Sequence, residues 1–118
     1  MATTTPPDLA TDIAAGARSG GYWHSTAPSF AILPPGQVGP ADRGLLAVVV
    51  DLAGPADGRD ELTGYMVQAA RAAYFNTPGS ITHSLKAAGE AANQTLYQAN
   101  AVTSREMRRH AGIGLAAL

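Results

Sequence analysis

Apolar positions along this chain change their spacing from one stretch to the next, and each spacing predicts an element. Ser29-Phe30-Ala31-Ile32-Leu33 reads as a short strand, stopped by Pro34-Pro35-Gly36. Leu45-Leu46-Ala47-Val48-Val49-Val50 is apolar without alternation, which predicts a strand covered on both faces. It ends on Asp51 and runs into Leu52-Ala53-Gly54-Pro55-Ala56-Asp57-Gly58-Arg59, which carries turn chemistry. From Asp60, read as the N-cap, an amphipathic helix runs to about Phe75 with Leu62, Met66, Ala69, Ala70 and Ala73 on its inner face. Asn76-Thr77-Pro78-Gly79 breaks it. Ser80 then caps a longer helix whose stripe is Ile81, Leu85, Ala88, Ala92, Leu96 and Ala99, all on one side. The last turns of that helix are expected to carry Arg105, Arg108, Arg109 and His110, the charge that suits a helix C-terminus, with Gly112 as the stop. Residues 113–118 read as the opening of another strand.

The fold class predicted by this order is α+β: short strands, two long antiparallel helices, then a terminal strand. Residues 1–20 are small and polar and read as a flexible N-terminal segment, although Leu9, Ile13 and Ala17 also fit a short helix over 8–17. Residues 21–118 read as a single domain. A chain that stops inside an apolar run suggests part of a larger domain, or a strand edge that needs a partner.

Composition narrows the class without naming a function. The 118 residues carry a formal charge of −1 and no cysteine. A general nucleic-acid binder needs a basic surplus that is missing here. Disulfides, thiolate nucleophiles and sulfur-ligated metal sites are excluded. Alanine contributes 24 residues against 22 for Leu, Ile, Val and Phe together, so the core must rely on close helix packing more than on bulky side chains. The first residues lack the basic flank and apolar stretch of a signal peptide, and no apolar run reaches membrane-spanning length; a cytoplasmic protein is the expectation.

Few residues offer chemistry. Asp51, at the end of the strongest strand, stands where open sheets place ligand groups, and it also suits a turn or cap. Asp57 and Asp60 could join it in a cluster, but capping and solvation explain them as well. Gly54-x-x-x-Gly58 lacks the Gly-Lys-Ser/Thr ending of a phosphate cradle and reads as a turn. His24, His83 and His110 share no ligand spacing. Arg105, Arg108, Arg109 and His110 could grip a phosphate or acidic partner, against the simpler reading of dipole complementarity.

Arg43-Gly44-Leu45 through Asp51, then two helices with Ala92-Asn93 in the middle of the second, then Gly112-Ile113-Gly114-Leu115, form an order that resembles a known family. It is similar to the N-terminal half of the metal-dependent, type 2C (PPM-type) protein serine/threonine phosphatases, over roughly 44–118. The resemblance implies part of an α-β-β-α sandwich and a site holding two Mg²⁺ or Mn²⁺ ions, whose bridging water attacks a phosphoserine or phosphothreonine. Hard ions take oxygen ligands, lower the pKa of water and offset phosphoryl charge. Carried over by resemblance, Asp51 is a metal ligand and Leu52 a carbonyl ligand, at a position where the family has Gly.

The departures are large. No Asp or Glu occurs between Arg18 and Asp42, so the family's earlier acidic motif is missing. Its Gly-Gly pair is reduced to Gly54 and the more distant Gly58, and Leu115 replaces its Thr. The family's later ligands would lie beyond Leu118. One carboxylate cannot hold two divalent ions. The expectation is therefore a non-catalytic, pseudophosphatase-like regulatory or protein-interaction domain, with a protein partner or self-association and no nucleic acid or membrane. Two alternatives stand beside it: a small homo-oligomeric α/β scaffold, and a truncated phosphatase completed by downstream sequence.

Overall fold

A computed structural model describes residues 17–19, 22–24, 30–33 and 44–117. Two strands, β1 (Ala17–Ser19) and β2 (Tyr22–His24), pair antiparallel as a hairpin, with Arg18 opposite Trp23. Ala17 is thus in a strand; the rest of the alternative helix over 8–17 lies outside the described residues. The main sheet is antiparallel in the order β3 (Phe30–Leu33), β4 (Leu46–Ala53), β5 (His110–Ala117). Helices α1 (Arg59–Asn76) and α2 (Ile81–Ala101) separate β4 from β5 in sequence. They pack against each other, α1 chiefly over β4 and α2 over β5. The predicted α+β layout, with both long helices on one sheet, is what the structure has.

β4 is the central strand and its alternation sets the core. Leu46, Val48, Val50 and Leu52 point to the helices and are buried, whereas Asp51 and Ala53 are exposed and Val49 is 53% exposed on the other face. The expectation that both faces of this strand are covered is therefore corrected. An antiparallel sheet can leave one face in water, and an unbroken apolar run does not report how many layers lie over it. Opposite residues of paired strands share a face. Ile32, Ala47, Val49, Asp51, Gly112, Gly114 and Ala116 consequently lie together on the side away from the helices.

The helices fit through small residues. Ala70, Ala88 and Ala92 are fully buried beside Met66 and Tyr74. Tyr74 and Phe75 meet edge to face, their ring centroids 4.9 Å apart. Of the predicted α1 stripe, Leu62, Met66 and Ala70 are buried and Ala69 and Ala73 half-buried; Thr63, Val67, Tyr74 and Phe75 complete the buried face. α2 keeps its predicted stripe except for Ile81, which is 46% exposed at the first position of the helix.

Two helix boundaries differ from expectation, each for a local reason. α1 starts one residue before Asp60, with Gly58 as N-cap at φ 70°, a left-handed conformation that glycine adopts without steric cost. Ser80 does cap α2, its Oγ accepting from the His83 backbone N–H at 3.1 Å. α2 ends at Ala101, so the basic residues 105–110 are not its last turns: Arg105–Met107 form a 3₁₀ turn and His110 opens β5. Among the described residues no helix is long and apolar enough to cross a membrane.

The alanine contacts tolerate little added volume. Ala88→Leu is expected to lose about 1–3 kcal/mol through overpacking, and Met66→Ala about 2–5 kcal/mol through the cavity it leaves. Ala101→Leu, at the exposed end of α2, should stay within about 0.5 kcal/mol of the parent. Urea unfolding followed by circular dichroism measures all three.

Candidate functional site

The β4–α1 loop, next to several of the residues singled out by sequence, is held by a side chain from far along the chain. Gly54 leaves β4 with φ 124°, and the Arg59 N–H closes a turn onto the Ala56 carbonyl at 3.2 Å. Arg109, just before β5, runs its aliphatic stem against Gly54: a Cβ added there would come within 2.7 Å of the arginine Cγ. Its Nη2 donates to the Pro55 carbonyl at 3.1 Å and to the Asp57 carbonyl. The Nε is buried without a partner among the described residues. One cation thus gathers two loop carbonyls, an arrangement that orders a turn lacking regular backbone bonds.

Arg109 is itself positioned from α2. Asn100 accepts the Arg109 backbone N–H on Oδ1 and donates Nδ2 to the Arg109 carbonyl, both at 2.9 Å. Arg108 donates its Nε to the Asn100 carbonyl at 3.2 Å and to that of Thr103 at 3.4 Å, satisfying acceptors at the end of α2. The Arg105–His110 group, read from sequence as an anion grip or a helix-end charge cluster, is therefore divided. Arg108 serves the helix end from outside it, Arg109 serves the loop, and Arg105 and His110 are exposed.

Asp51 and Leu52 are placed on opposite sides of β4, as neighbours on a strand must be. Asp51 is exposed on the uncovered face, opposite Gly112 on β5. Leu52 is 6% exposed and belongs to the core. Its side chain packs inward while its backbone runs in the β4–β5 ladder opposite Ala111. Asp57 is exposed in the loop, and what it gives to Arg109 is its backbone carbonyl. Asp60 lies in the first turn of α1 with Glu61, where negative charge suits the helix dipole. Among the described residues no three His, Asp or Glu side chains gather as a metal-binding group. The described residues do not by themselves make the two-ion site that the resemblance implies, because hard divalent ions require several oxygen ligands converging on one point.

The remaining candidates stay apart. His83 and His110 are exposed on different elements; His24 is in β2, and its side chain lies outside the described residues. Ala92 is buried against the core and Asn93 exposed, while Leu115 packs over α2 near Gly89. On α1, the Tyr65 hydroxyl donates to Glu61 Oε1 at 3.0 Å, and that bond together with the carboxylate charge holds the phenol above its usual pKa. No protein-family model, no curated protein and no solved structure matches the chain.

The Asn100–Arg109–loop connection is a polar constellation that sequence reasoning missed. Arg109 is 54 residues from Pro55 and 52 from Asp57, and no local pattern links such positions. Asn100→Ala is expected to cost about 1–3 kcal/mol, since it strands a part-buried backbone N–H. Asn93→Ala, on the exposed side of the same helix, should stay within about 0.5 kcal/mol. Gly54→Ala should cost about 1–3 kcal/mol from its positive φ, and more where the Arg109 stem cannot move aside. Chemical denaturation of the three variants tests the ranking.

Proposed function

We propose that this chain is a non-catalytic, pseudophosphatase-like protein-interaction domain, similar in layout to the N-terminal half of a PPM-type phosphatase. The observation that supports this reading is the face of the sheet that no element among the described residues covers. Val49, Ile32, Ala47, Gly114 and Ala116 place a small-residue apolar surface on the side that the helices leave open. A surface of that kind is suited to receiving another layer of protein. Asp51 stands on it without acidic neighbours on the paired strands, so the one carboxylate that the resemblance assigns to metal lacks the company that catalysis requires.

The reading is tested by titrating Mg²⁺ and Mn²⁺ into the full chain by calorimetry, with Asp51→Ala in parallel, and by assaying hydrolysis of an aryl phosphate. The expected result is no turnover and no heat that Asp51→Ala removes. Turnover, or divalent binding lost on substituting Asp51, overturns the non-catalytic reading. Binding lost in Asp51→Ala without turnover would favour instead a metal-dependent phosphatase whose further ligands come from sequence outside this chain.

A further inference from the structure

The two edges of the main sheet are built differently. β3 has four residues and is followed at once by Pro34-Pro35, two devices that keep a strand edge from pairing. β5 has eight residues, His110-Ala-Gly-Ile-Gly-Leu-Ala-Ala117, with no proline, lysine, arginine or acid among them. It pairs with β4 along its whole length, from Ala53↔His110 to Leu46↔Ala117, and is the last strand on that side of the sheet among the described residues. An antiparallel partner uses only half of a strand's backbone donors and acceptors. The other half of β5 faces outward, and nothing among the described residues takes it. Ile113, Leu115 and Ala117 face the helices, yet remain half-buried because β5 has a neighbouring strand on one side only.

We infer that β5 is the contact strand of a twofold dimer, pairing antiparallel with β5 of a second copy to form one six-stranded sheet. The occupant is a second copy for three reasons. An antiparallel edge is complementary to itself about a twofold axis, so the same strand supplies both halves of the ladder. The residues that would face one another on the open side are Gly112, Gly114 and Ala116, which bring no like charges together and leave room for the close approach of two strands. The pairing also closes: among the described residues the outer edges become the short β3 of each copy, followed in sequence by two prolines, which opposes growth beyond two. With the strands in this register both helical layers lie on one side, and the residual exposure of Ile113 and Leu115 is covered by the same residues of the partner.

This inference rests on the proposed interaction role and names its partner. Metal-dependent turnover would overturn that role and leave the edge untouched, whereas a strict monomer overturns the edge alone. The experiment is sedimentation equilibrium of the full chain over a wide concentration range, beside Gly112→Lys/Ala116→Lys and Val49→Lys. A Cβ at Gly112 meets no heavy atom within 4 Å, and Ala116 is exposed, so the lysines suit the monomer fold. The expected result is a mass rising with concentration from 12.0 kDa toward twice that value in the parent. Association should weaken about tenfold or more in the double-lysine variant, through repulsion along the shared edge, and change little in Val49→Lys, with helical circular dichroism retained.

Hydrogen exchange of the parent needs no variant. The β5 amides that are not bonded to β4 should gain protection as concentration rises. A monomer at every concentration, or exchange at β5 that ignores concentration, overturns the inference. So does a dimer lost in Val49→Lys and kept in Gly112→Lys/Ala116→Lys, which would place the contact on the open face.

Discussion

The core of the described residues gathers on one side of the sheet, with β4 at its centre. β4 turns Leu46, Val48, Val50 and Leu52 toward the helices, and the buried faces of α1 and α2 close over them through Met66, Ala70, Ala88 and Ala92. The alanines make this possible because they let two helices and a strand approach closely with few large side chains. They also make it narrow. A core of small residues buries little area per residue, so its stability depends on fit more than on payload. The pairing of Tyr74 with Phe75 supplies the bulk that alanine lacks.

The loop above β4 depends on a second constraint, one of polar satisfaction. The β4–α1 connection contains two glycines at positive φ, and its carbonyls turn away from any regular ladder. Arg109 collects two of them, and Asn100 fixes Arg109 through its backbone, so the end of α2, the start of β5 and the start of α1 are tied at one corner. A residue type that commonly grips phosphate is here used to hold protein backbone, with its aliphatic stem against Gly54. The same corner is where the resemblance to PPM-type phosphatases places metal chemistry. The groups on hand there are exposed aspartates that do not gather with other ligands, a buried leucine and backbone carbonyls already engaged by an arginine.

Function follows from what the fold leaves uncovered. One face of the sheet carries helices and the other carries small apolar residues, while one edge is blunted and the other is not. An antiparallel sheet tolerates water on one face, but a long, uncharged edge is a template for another strand. Both features support the proposed interaction role.

The strand at 30–33, the body of β4 from Leu46 to Val50, the helix break at 76–80, the Ser80 cap and the buried stripe Ala88, Ala92 and Leu96 were legible in the residues, because local spacing and capping chemistry act over a few positions; Leu52 and Ala53, read as loop, continue β4 because they pair with Ala111 and His110 of β5. Other features were decided only by tertiary structure. Val49 is as apolar as Val48 and Val50, and only the placement of both helices on one side of the sheet leaves it in water. The basic residues 105–110 look like a helix end until Asn100 and Arg108 terminate α2 at Ala101 and release the segment to become a turn and a strand. The bond from Arg109 to the loop at 55–57 joins residues more than fifty positions apart. Local pattern reports what a segment can bury; which of its faces is covered, and which distant carbonyl meets its side chain, depends on how the segments pack.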